Sequence, residues 1–169
     1  MAFSIAAVLG GLFQGNGPSS NLSFTSTPDV WSFVTTSAAA GPLLVESHGD
    51  PFGETETRTT RRIADAVAAT FTEPWLKFTD DPARAAPKDL RLIWLLAPQA
   101  GFNADLVCGG ELPTPSPRGR VMDVRAVLCH RGRALSAVHG WVRWPETGND
   151  AKWRQLIAQM ARQLLTGRG

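Results

Sequence analysis

What this chain lacks closes off several functional classes. It has no tyrosine, only two cysteines, and a formal net charge of just +2 over 169 residues. So small an excess does not supply the phosphate-neutralising charge that drives nucleic-acid binding. Only Lys77, Lys88 and Lys152 are lysines, and the arginines are dispersed rather than massed in a block. There is no P-loop, dinucleotide glycine fingerprint, HExxH, GxSxG, CxxC or EF-hand pattern. No cofactor is therefore expected, and no metal. No apolar run is long enough to span a bilayer. The apolar start MAFSIAAVLGGLF is too short for that, and it has no Lys or Arg ahead of its apolar stretch, as a signal peptide requires.

What is present is ordinary globular composition: 43% apolar and 19% charged residues, enough chain to bury a real core. Residues 1–28 read as a flexible or weakly structured N-terminal arm, with QGNGPSSNLSFTSTP (14–28) as its loop-like part. Residues 29–169 read as a single α+β domain. Its expected architecture is a small, mostly antiparallel sheet of about four strands with two or three helices packed on one face.

The elements follow from periodicity. DVWSFVTTSAAA (29–40) is a short helix capped by Asp29. LLVESHG (43–49) is a strand closed by the turn GDPFG. A helix then starts at Thr57 or Thr59–Thr60 and runs to about Thr70, with Ile63, Ala66, Val67 and Phe71 on one face. LRLIWLLAP (90–98) is a near-continuous apolar run of the kind a central strand needs. FNADLVC reads as a short edge strand. PTPSPRG (113–119) has too many prolines for a regular element and must be a surface excursion. Residues 121–129 and 133–144 form a hairpin. A two-residue Arg131-Gly132 turn pairs Val124 with His139, whereas a bulged loop shifts the register by one. The register decides whether Val138 and Val142, or His139 and Trp141, face the helices. The last helix starts at Asn149 or Asp150, carries Trp153, Leu156, Ile157, Met160, Ala161, Leu164 and Leu165 as one stripe, and ends at Gly167.

Chemistry-bearing residues are few. Cys108 and Cys129 lie near strand ends, and a disulfide between them would contribute roughly 3 kcal/mol by closing its loop. Such a bond points to an oxidising compartment such as a periplasm, and the alternative is two reduced core cysteines. His48 and Asp50 flank a glycine at a strand end, where a loop can hold an acid–base pair. They also suit plain turn construction. His139 completes the weak catalytic candidates of a small hydrolase or transferase, with a cysteine as an alternative nucleophile. That reading requires these side chains to converge.

Partner-binding candidates are Pro113, Pro115, Pro117 and Arg118 of the proline loop, with Trp141 and Trp144 of the hairpin. Six tryptophans are many for this length, and exposed ones suit an interface. The ending VMDVRAVLCHRGRALSAVHGWVRW followed by AKWRQLIAQMARQLL is similar, in element order over about 45 residues, to accessory domains of bacterial envelope lipoproteins. The resemblance implies a small α/β body that docks onto larger machinery. It rests on element order rather than a motif, and the lipidated cysteine of such proteins is not in this chain. The leading expectation is a non-enzymatic domain that binds a protein partner. Homodimerisation through an uncovered strand edge is a further route. A ligand or single-stranded nucleic-acid module using the arginines and Trp141 and Trp144 is the remaining alternative.

Overall fold

The computed structural model describes residues 17–169. The expectation for the apolar start lies outside the described residues. The rest is an α+β arrangement of one sheet with helices packed on it, but the sheet has six strands rather than about four, and there are four helices. In chain order these are β1 (Ser19–Thr25), α1 (Val30–Ala38), β2 (Leu43–His48), α2 (Glu56–Ala68), β3 (Phe78–Thr79), β4 (Leu90–Leu96), α3 (Ala104–Cys108), β5 (Val121–His130), β6 (Arg133–Arg143) and α4 (Ala151–Thr166). Strands run in the order β1-β6-β5-β4-β2-β3. The β1–β6, β6–β5 and β5–β4 pairs are antiparallel, and β4–β2 and β2–β3 are parallel. The parallel β2–β4 pair arises because α2 carries the chain across one sheet face between them.

The helices are divided between faces. Helices α1, α2 and α4 pack their apolar stripes on one face, where Leu92, Trp94, Val124, Leu128, Val138 and Val142 are buried beneath them. Helix α3 lies on the other face, against Ile93, Leu95, Val127 and Ala137. This explains the uninterrupted apolar run of β4. Alternate side chains of that strand feed two separate cores, so neither set can be polar.

Residues Ser19–Thr25, expected within the arm, form an edge strand instead. Phe24 and Thr25 suit a strand, but SSNLSFT as a whole carries no strong strand pattern. The strand exists because β6 offers it a complete hydrogen-bonding edge, from Ser19 opposite Trp141 to Thr25 opposite Ser136. FNADLVC is also corrected. Asn103 accepts a hydrogen bond from the Leu106 N–H at 3.1 Å and caps a single helical stretch, α3, where an edge strand was expected.

Caps set the other helix boundaries. Asp29 accepts from Ser32 N at 3.0 Å and starts α1. Thr55, rather than a threonine further on, starts α2 by accepting from Arg58 N. Asp150 starts α4, and Gly167 ends it in the left-handed conformation. Asp29 is held below its ordinary 3.8 by hydrogen bonding from the Ser32 side chain and then from its backbone. Asp89 is lowered likewise, chiefly by the hydrogen bond from Arg131. A carboxylate depressed in the folded state gives stability that is complete above its unfolded value and lost as pH falls through the folded one. Thermal melting of the wild type should therefore drop as pH falls below about 3.8. An Asp29→Asn/Asp89→Asn variant should lose part of that acid sensitivity, because neither the helix cap nor the Arg131 partner then titrates. Superimposable acid limbs for the two proteins would contradict the assignment.

The hairpin keeps its two-residue turn and also has a bulge. Arg131 (φ 51°) and Gly132 (φ 75°) both occupy the left-handed region, as a type I′ turn demands. Arg131 is held there by its N–H to Asp89 O and its Nε to Asp89 Oδ2, at 3.0 and 2.9 Å. Two residues beyond Arg133 the register slips, with Cys129 opposite Ala134 but Leu128 opposite Ser136. The extra residue, Leu135, restores the shifted register. Val124 now faces Gly140, and Arg125 faces His139. Val138 and Val142 consequently enter the helix-side core, and His139 and Trp141 turn to the opposite face.

Candidate functional site

A cleft opens at the far end of the β5–β6 hairpin, away from its turn. Val121 and Arg143 are the last cross-strand pair of the ladder. Beyond them the Trp144 N–H bonds Arg120 O at 2.9 Å, so the chain segments entering β5 and leaving β6 remain side by side. The cleft between residues 118–121 and 141–146 has a volume of about 720 Å³. Its walls carry Arg118, Arg120 and Arg143 and the side chains of Val121 and Trp141. Val121 is 52% exposed and Trp141 36%. Arg118 pairs with Glu146 at 3.2 Å, and Arg120 and Arg143 make no ion pair among the described residues.

Three of the partner-binding candidates meet here, namely Arg118, Trp141 and Trp144. Trp144 differs in kind from Trp141. It is 8% exposed, belongs to the helix-side core, and donates its indole N–H to Pro51 O at 3.3 Å. It builds the floor, whereas Trp141 offers an accessible ring. Pro113, Pro115 and Pro117 do not line this cleft. The proline loop is instead stitched to the end of β4. Ser116 N donates to Ala97 O at 2.6 Å and Gln99 N to Thr114 O at 2.9 Å, around a bridge between Pro98 and Pro115. Ala97 itself is held in the left-handed region, at φ 50°. The loop thus sets where Arg118 and Arg120 emerge. Arg118, Arg120 and Arg143, with Trp141 and Trp144, were legible in the sequence as a basic patch with interleaved aromatics, whereas Val121 was not singled out. The hairpin pairing that brings them together was available as a signal once the turn was fixed at Arg131-Gly132.

The weak catalytic candidates are not brought together. His48 ends β2 and approaches Glu56 (Nδ1–Oε1 3.7 Å), not Asp50. Asp50 accepts the Glu54 N–H at 2.8 Å and builds the turn. His139 sits on β6, three strands away from β2, or about 14 Å at usual strand spacing. There it meets Asp123 at 2.7 Å, and its ring lies 5.0 Å from that of Trp141. Arg125, beside His139 across the ladder, lies over the Phe102 ring at 5.3 Å, and its partial burial pushes the guanidinium pKa down. These contacts form a surface row on the α3 side of the sheet. Among the described residues no group of three or more His, Cys, Asp or Glu is arranged to hold a metal ion. No described helix is long and apolar enough to cross a membrane.

The Sγ atoms of Cys108 and Cys129 stand at bonding distance, with Cα atoms 5.5 Å apart. Cys108 ends α3 rather than a strand, so the link fastens α3 to β5. Arg91 reinforces the junction by donating to Cys108 O at 2.7 Å.

No protein-family model matches the chain, and no curated protein matches it. Among solved structures, a PelC variant described as a dodecamer, from Paraburkholderia phytofirmans, is similar over 88% of this chain and 98% of that chain. Sequence identity is 11% and the TM-score 0.47. At those values the likeness bears on neither activity nor assembly.

Proposed function

We propose that this chain is a non-enzymatic accessory domain that binds a protein partner through the cleft between residues 118–121 and 141–146. The observation that carries the reading is an exposed Trp141 and an exposed Val121 flanked by Arg120 and Arg143, which make no ion pair among the described residues. Tryptophan and arginine are the residue types that dominate binding energy at protein interfaces, and a concave, partly apolar seat is where they do so. We further propose that Cys108 and Cys129 form a disulfide and that the domain works in an oxidising setting, with a bacterial envelope assembly as the favoured location. The catalytic alternative has less support, since His48 approaches Glu56, Asp50 builds its turn, and His139 lies three strands away from β2.

Trp141→Ala is expected to weaken partner binding by about 2 kcal/mol, the cost of losing a hot-spot ring. Its exposed position should leave far-UV circular dichroism and the melting temperature close to wild type. The check is affinity for the partner recovered from the protein's own source. Equal affinity of wild type and variant would remove the cleft from the account.

A further inference from the structure

We infer that the partner segment seated in this cleft is an extended, acidic peptide with apolar residues interspersed. The inference rests on the docking reading above and names the chemistry of its occupant. The cleft walls carry three guanidiniums and a single carboxylate, Glu146. Glu146 is itself 84% exposed and is matched to Arg118 alone. Among the described residues Arg120 and Arg143 have no ion-pair partner, and both side chains are exposed at the rim of an apolar seat. A partner that covers Val121 and Trp141 also takes water from these guanidiniums and must supply carboxylates in exchange. Guanidinium and carboxylate match in a two-point hydrogen-bonded geometry, which fixes orientation as well as charge.

The shape argues for extended chain. Trp141 and Arg143 are two residues apart on β6 and point to the same face, about 7 Å apart along the strand. On β5, Asp123 lies opposite Trp141 and Val121 opposite Arg143. A peptide with the same two-residue repeat places a carboxylate at the Arg143 rung, beside Val121, and an apolar side chain at the Trp141 rung, where Asp123 is already paired with His139 at 2.7 Å. Single-stranded nucleic acid fits less well. It needs a continuous basic track and several free aromatic faces, whereas Trp144 is buried and the Trp141 ring already lies against His139.

The test is fluorescence anisotropy of the full oxidised chain with three labelled probes. These are a short peptide of Glu and Leu spaced by Gly and Ser, the same peptide with Lys for Glu, and single-stranded oligothymidine. The Glu peptide should bind, and its affinity should fall as salt rises. Arg120→Glu and Arg143→Glu should each weaken it on the order of tenfold, and Arg143→Gln by less. Both side chains are exposed, so circular dichroism should be unchanged. Equal or tighter binding of the Lys peptide or of oligothymidine would overturn the inference, as would indifference to both charge reversals. If the Glu peptide fails while a photo-cross-linker at Val121 still captures a partner in a Trp141-dependent manner, the acidic chemistry is wrong and the docking reading stands. If that capture is absent too, both fail.

Discussion

Trp94→Ala should lower the unfolding free energy by about 3–5 kcal/mol, the usual cost of emptying a buried aromatic site. Trp94 sits at the middle of β4, between Ala126 on β5 and Ser47 on β2. It is fully buried in the helix-side core. Its neighbours cannot close over the gap, because they belong to two adjacent strands and to helices anchored elsewhere. The hole also falls where the antiparallel half of the sheet meets the parallel half, so both halves lose packing together. Urea denaturation of wild type and variant measures the difference. A loss below about 1 kcal/mol would mean that the centre of the sheet collapses readily and that β4 is not its keystone.

Removing the cross-link by Cys108→Ala with Cys129→Ala should cost about 3 kcal/mol, given a sequence separation of 21. The effect should be concentrated at α3. A helix of five residues has no stability of its own, and it is held by the sulfurs, by Arg91 and by Asp105, which accepts the Ala134 N–H at 2.9 Å. Hydrogen exchange should show the 104–108 amides losing protection while the β5–β6 ladder keeps most of its own. Reductant should reproduce the shift in the wild type and do nothing to the double variant. A wild-type melting temperature indifferent to reductant would contradict the proposed bond.

The parts of this fold legible in the sequence are those whose burial pattern is local. The run LRLIWLL announces a strand covered on both faces, and the stripe from Trp153 to Leu165 announces α4. Asp29, Asp150 and Gly167 act as the caps their residue types suggest. Strand β1 was hidden because its only cause is the distant edge of β6. Helix α3 was hidden because five residues give no period to read, although Asn103 was a cap signal in plain view. The hairpin turn was readable from Arg131-Gly132, but the Leu135 bulge was not. That one residue decides which face receives Trp141 and hence whether the cleft has an accessible ring. Of the cleft itself, Arg118 and Trp141 stood out as residue types. Arg120 and Arg143 stood out only as part of a dispersed basic patch, and Val121 became visible only once strand pairing set it opposite Arg143.

The most direct test of the docking surface is site-specific photo-cross-linking in the native cell, with the photoreactive residue at Val121 and, as control, at the exposed α2 position Arg58. The account predicts one discrete protein adduct from Val121 that disappears in the Trp141→Ala background and is absent from Arg58. The same adducts from both positions, or none from Val121, would contradict it.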